Sequence, residues 1–200
     1  MQLNRASKYL IKTETAVSAL ADACARGGGS KLAAALELLR TVVLSWLIGN
    51  GDLHGKNLSI YCPDGVWQPT PAYDLLSTQP YTNWRDSMAL NLYGRANRLS
   101  RKDFIDAGER LGVRERATAR MLDSLLDAAE RWPECCGDIG FDDRESDRLT
   151  AMLRTRMASD RRVYSSPRSV ASTASTSLSG VDQEQTKRTA DSARSGWCTT

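Results

Sequence analysis

The apolar run between Leu32 and Leu47 constrains this chain more than any other segment. Leu32, Ala35, Leu36, Leu39, Val43, Trp46 and Leu47 recur at the three-and-four spacing of one buried helical stripe. Ser30 stands where an N-cap belongs, and Gly49 stops the helix. The most apolar part, residues 42–48, is far shorter than the about 20 residues that a bilayer requires. The same segment carries Glu37 and Arg40. The pattern therefore predicts a core helix and no membrane association, and a helix this apolar needs further elements to cover it.

Those elements can be read on both sides. After the helix comes a polar, glycine-rich loop, Asn50-Gly51-Asp52-Leu53-His54-Gly55-Lys56-Asn57. Leu58-Ser59-Ile60-Tyr61 alternates as a strand does, Pro63-Asp64-Gly65 is a turn tripeptide, and Val66-Trp67-Gln68 reads as the return strand. Beyond Tyr81 the chain is loop-rich until Ser100, where Ser100-x-x-Asp103 resembles a capping box and Gly112 a natural stop. A second helix is predicted from about 115 to 132, with Ala117, Met121, Leu125, Ala128 and Trp132 aligned and Pro133 beyond. A third is predicted from 143 to about 159, carrying Leu149, Met152 and Leu153.

This organisation divides the chain into three parts. Residues 1–30 form an irregular N-terminal remnant, in which Tyr9-Leu10-Ile11 reads as a short strand and residues 15–26 as a helix. Gly27-Gly28-Gly29 then reads as a flexible loop, because it lacks the G-x-x-x-x-G-K-[ST] pattern of a phosphate loop. Residues 31–160 form the main domain: mostly α, a helical bundle with a small β-hairpin beside the polar loop. Residues 161–200 are rich in Ser, Thr, Arg, Gly and Gln, cannot bury enough surface to offset their ordering entropy, and are expected to be a disordered tail.

Composition narrows the function classes. The 200 residues carry a formal charge of +3, with arginines scattered among Asp and Glu. That mixture is a solvated surface and lacks the clustered basic face of a nucleic-acid binder. The five cysteines have no C-x-x-C spacing, and no secretory signal opens the chain, so a reduced, cytoplasmic compartment is expected. A zinc site is not expected, since the one histidine, His54, has no cysteine at ligand spacing.

The polar loop carries the chemistry. Asp52 is followed five residues later by Asn57, and past the hairpin comes a second carboxylate, Asp74, preceded by Tyr73. Phosphoryl transfer needs such a set. One Asp orients or accepts the proton of the attacking hydroxyl, while an Asn and another Asp hold the magnesium ions (Mg2+) that bridge the phosphates of ATP. Magnesium keeps several waters, so two protein oxygens plus phosphate oxygens suffice. Asp52-x-x-x-x-Asn57 reproduces the D-x-x-x-x-N spacing of the protein-kinase catalytic loop, and the helix before it and hairpin after it stand where a kinase C-lobe has them. Asp and Asn are also turn formers, and Asp74 also reads as a cap for a helix starting at Leu75.

The wording of two blocks goes further. Gly49-Asn50-Gly51-Asp52-Leu53-His54-Gly55-Lys56-Asn57-Leu58-Ser59 and Pro71-Ala72-Tyr73-Asp74-Leu75-Leu76-Ser77 resemble the C-terminal domain of HipA-family serine/threonine kinases. The resemblance covers about residues 31–159. It implies a protein-kinase-like C-lobe with Asp52 as catalytic base and Asn57 and Asp74 as magnesium ligands, while His54, Lys56 and Tyr73 line the ATP site. It further implies an ATP-dependent kinase acting on a protein Ser or Thr, paired with a small HipB-like antitoxin in a toxin–antitoxin module.

One departure shapes the expectation. A kinase also needs a smaller lobe with a phosphate-covering loop and a lysine, and only 51 residues precede Asp52. The sequence reads as a C-lobe without its N-lobe, expected to bind Mg-ATP weakly and to transfer phosphate slowly or not at all. Two other readings stand beside it. Gly51-Asp52-Leu53-His54 with Asn57 also resembles the loop of aminoglycoside and choline kinases, although Tyr73-Asp74-Leu75-Leu76-Ser77 fits that group less well. The third is a non-catalytic fragment that binds a HipB-like antitoxin or a separate N-lobe.

Overall fold

The structure, a computed structural model, describes residues 11–161. The expected tail beyond Arg161 and the Tyr9-Leu10 part of the first strand lie outside the described residues, and Ile11 itself is a bend. Five helices carry the fold: α1 (Thr13–Arg26), α2 (Lys31–Ile48), α3 (Arg101–Arg110), α4 (Glu115–Ala128) and α5 (Asp143–Arg161). Between α2 and α3 lies a small antiparallel pair, β1 (Ile60–Tyr61) and β2 (Gln68–Pro69), with Ile60 opposite Pro69 and Tyr61 opposite Gln68. The chain is thus mostly helical with one small hairpin, as the sequence predicts.

Helix α2 is the spine, packed against each of the other four helices. Its start is fixed as expected, with the Ser30 hydroxyl accepting the Ala33 amide at 3.3 Å. Its buried face is wider than one stripe. Leu38, Val42 and Ala34 are buried beside Leu39, Val43, Trp46 and Leu47, whereas Leu32, expected in the stripe, is 52% exposed. Leu32 precedes that face, whose first buried residue is Ala34, packed with Ala21 and Cys24 of α1. Ala16 and Val17 of α1 join the same core, as do Phe104 of α3, Leu122 of α4 and Leu153 of α5. Trp46 meets Phe104 edge-on, ring centroids 5.3 Å apart.

Helix α3 opens with the predicted capping box, the Ser100 amide donating to Asp103 Oδ2 at 2.9 Å. Its first residue, Arg101, is buried and reaches α4, pairing with Asp123 at 2.7 Å and donating to the Ala119 carbonyl at 3.2 Å. Helix α4 is shorter than its periodicity predicts and ends at Ala128, while Trp132 sits in a separate 3-10 turn, Trp132–Glu134. The buried α4 face is Thr118, Ala119, Met121, Leu122 and Leu126, so of the predicted line Met121 is in the core while Ala117 and Leu125 lie at its margin.

The hairpin is also shorter than expected, because Pro69 has no N–H to donate and Pro71 follows closely. Trp67 is not in a strand. It crosses the triple glycine instead, and its amide donates to the Gly27 carbonyl at 3.2 Å. A Cβ on Gly27 would fall 2.0 Å from the Trp67 ring, and one on Gly29 2.1 Å from the Trp67 carbonyl oxygen. The glycines serve close packing of the hairpin on the α1–α2 corner, which corrects their reading as a flexible loop.

Candidate functional site

The site begins where α2 ends. Gly49 takes the left-handed conformation (φ 78°) and turns the chain out of the core. Asn50, 2% exposed, then does two things at once. Its Oδ1 accepts the Asp52 amide at 2.9 Å, a local Asx turn, and its Nδ2 donates to the Asp74 carbonyl at 3.3 Å. One buried carboxamide thereby sets the backbone of both candidate carboxylates. Asp52 itself is exposed at the loop's surface, while Leu53 beside it anchors the loop in the core.

Residues 54–57 close on themselves. The Asn57 amide donates to the His54 carbonyl at 2.9 Å, and the His54 amide donates to Asn57 Oδ1 at 3.0 Å. His54 and Asn57 are both buried, and Lys56 is exposed. Across the hairpin, Asn57 Nδ2 donates to Asp74 Oδ2 at 2.6 Å. The Tyr73 hydroxyl donates to the Lys56 carbonyl and accepts from the Ser59 hydroxyl at 3.2 Å. Asp74 is held at φ 56°, a left-handed conformation that Asp tolerates better than most residues. No helix starts at Leu75, so Asp74 is not a helix cap, which corrects that reading.

The structure thus brings Asn57 and Asp74 into contact, with Tyr73 and His54 as backbone-holding neighbours. Asp52 looks onto a different space: with Thr78, Tyr81, Asp86 and Asn91 it lines an open cavity of about 750 Å³. Sequence reasoning missed what holds this loop from the other side. The Gly51 amide donates to Thr78 Oγ1 at 2.9 Å, and that hydroxyl donates to Asp86 Oδ2 at 2.5 Å. Gln79 Nε2 links the Gly49 and Asp86 carbonyls at 3.3 and 3.1 Å. Gly51 lies so close to the Asp86 carboxylate that a Cβ there would stand 2.1 Å from Oδ2. The only sequence hint was the polar character of Thr78, Gln79 and Asp86 in a loop.

The donor set suits a hard cation. Asp74 Oδ1 takes part in no hydrogen bond among the described residues, and Asn57 Oδ1 keeps a second lone pair beside the one given to His54. No group of three or more His, Cys, Asp or Glu side chains forms a cage among the described residues. Two protein oxygens are too few for calcium or zinc but match magnesium held jointly with phosphate oxygens.

Comparison with known proteins follows the same direction. The sequence pattern of the HipA-like C-terminal domain matches residues 1–132. A putative kinase of Sinorhizobium fredii, Y4dM, is 36% identical over 97 residues, covering 48% of this chain and 24% of that protein. The serine/threonine-protein kinase toxin HipA of Shewanella oneidensis is 36% identical over 59 residues, covering 30% of this chain and 14% of the toxin. Among solved structures, a chain of the Shewanella oneidensis MR-1 toxin–antitoxin complex of HipA, HipB and operator DNA shares the fold. Its TM-score is 0.56 at 21% identity, over 80% of this chain and 38% of that one. The matched segment spans only about a quarter of the length of the Sinorhizobium relative. No helix among the described residues is long and apolar enough to cross a membrane.

Proposed function

The chain belongs to the HipA-like C-terminal domain family, and from that premise we propose that it carries the base-and-metal half of an ATP-dependent protein kinase site. The observation that supports this most is the Asn57–Asp74 contact, 2.6 Å between side chains 17 residues apart, in the same loop system as an exposed Asp52. Kinase C-lobes place one Asp for the acceptor hydroxyl and an Asn–Asp pair for magnesium, and this geometry offers that division.

In this reading Asp52 accepts the proton of a Ser or Thr hydroxyl as its oxygen attacks the terminal phosphorus of ATP, while the bond to the bridging oxygen breaks and ADP leaves with the electron pair. The cavity in front of Asp52 admits the acceptor. Asn57 and Asp74 would hold Mg2+, which when bound would neutralise charge on the phosphate oxygens. Asn50 keeps the two halves in register through the Asp52 amide and the Asp74 carbonyl. Tyr73 and His54 hold this loop through the Lys56 carbonyl and the Asn57 side chain, and in this reading the exposed Lys56 ammonium meets phosphate. A HipB-like protein is the partner to test, because the structural neighbour's complex contains HipB.

The test is phosphotransfer from labelled ATP by the full chain, with magnesium, to protein acceptors and in parallel to sugars and aminoglycosides. Slow labelling of protein Ser or Thr, lost on Asp52→Ala, is the expected result. Labelling confined to the small molecules, or unchanged by Asp52→Ala, would sink the proposal. Absence of transfer together with capture of a HipB-like protein that ignores Asp52→Ala would favour the non-catalytic reading.

A further inference from the structure

A second cavity, about 500 Å³, shares Asp86 with the cavity of Asp52 and is otherwise separately lined. Trp46, Trp84, Leu99 and Met152 give it apolar walls, and Arg98 and Arg156 are among its lining residues. Neither arginine lies within ion-pairing distance of a carboxylate among the described residues. Asp86, the one carboxylate of the lining, is engaged by the Thr78 hydroxyl instead.

Arg156 is the more telling of the two. It is half-buried, donates to the Trp46 carbonyl and lies 5.3 Å from the centre of the Trp46 ring. Burial lowers its pKa to about 10. Arg156 is half-buried and Arg98 exposed, and two cations lining one cavity repel each other, which a bound anion offsets. The backbone adds an independent sign. Trp84 and Arg98 are held at φ 61° and 57°, a costly region for bulky side chains, and both point to this one cavity as lining residues. Arg148 stands 4.7 Å over the Trp84 ring and braces the indole.

We propose that this cavity is a binding site for a phosphate monoester with a flat apolar body. The phosphate would lie between the Arg98 and Arg156 guanidiniums, with Ser159 and Asn97 as neutral donors from the lining, and the body against the partly exposed Trp84 indole. A phosphate dianion matches two guanidinium charges, where a carboxylate supplies one charge and two oxygens. The site is independent of the kinase reading, since Asp52, Asn57 and Asp74 are not part of its lining.

Calorimetric titration of the full chain with phenyl phosphate, in the absence of magnesium, tests the proposal. Saturable binding is expected, tighter than that of inorganic phosphate. It weakens about tenfold or more in Arg98→Gln, the worth of one charge-assisted contact, and is unchanged in Asp74→Ala. Arg98 is exposed and makes no hydrogen bond or ion pair among the described residues, so this variant keeps the fold where Arg156→Gln risks it. Circular dichroism confirms that. Absence of saturable binding, inorganic phosphate bound as tightly as phenyl phosphate, or binding lost in Asp74→Ala but kept in Arg98→Gln would each overturn the assignment.

Discussion

At the scale of single residues, the site depends on side chains that never meet a substrate. Thr78 is the clearest. Its hydroxyl accepts the Gly51 amide and donates to Asp86, so it fixes the residue next to Asp52 through two bonds in series. Thr78→Val keeps the shape but strands a partly buried amide and a carboxylate. We expect a loss of about 1–3 kcal/mol in urea unfolding and faster hydrogen exchange at Gly51, with Thr78→Ser restoring both. Unaltered Gly51 exchange in the valine variant would show that the loop is held by other means. This network also marks a limit of sequence reading. Asp52, Asn57 and Asp74 were legible because their types and spacing match a chemistry. The Asn50–Asp74 and Gly51–Thr78 links were not, since they join positions 24 and 27 apart and leave no local signature.

At the scale of elements, local signals were read best. The Ser30 cap, the Ser100–Asp103 box and the Gly49 stop all stand where the sequence puts them, because each is decided within four residues. Element length was read less well. The periodicity of α4 runs on to Trp132, but the helix ends at Ala128 because the segment from 132 turns tightly through Pro133. Helix α5 carries a feature no periodicity reveals: Asp160, 1% exposed, with neither carboxylate oxygen hydrogen-bonded among the described residues. Burial pushes its pKa to about 7, Arg101 of α3 pulls it back, and Asp103 pushes it up.

The folded state therefore keeps a proton that the unfolded chain releases near its ordinary pKa of about 4. The contribution of Asp160 to stability is fully present below that value, is lost as pH rises toward about 7, and stays lost above. Asp160→Asn, which remains neutral, should be more stable than the parent by on the order of 3 kcal/mol at pH 8 and equal to it near pH 4. Thermal melts at the two pH values check this, and a gap that does not change with pH would contradict it.

At the scale of the whole molecule, one apolar helix surrounded by four others leaves its C-terminal end free to deliver a polar loop to the surface. The hairpin then returns the chain so that Asp74 meets Asn57. The core holds the loop through buried Leu53, and the turn out of the core explains why α2 ends in a glycine. If this account is right, Asn57 and Asp74 act as one unit toward magnesium, and removing either oxygen donor removes the site. The direct measurement is calorimetry of ATP binding to the full chain with and without magnesium, alongside Asn57→Ala and Asp74→Ala. The account predicts magnesium-dependent binding by the parent chain that each substitution abolishes. Binding that needs no magnesium or survives both substitutions, or no binding by the parent at all, would contradict it.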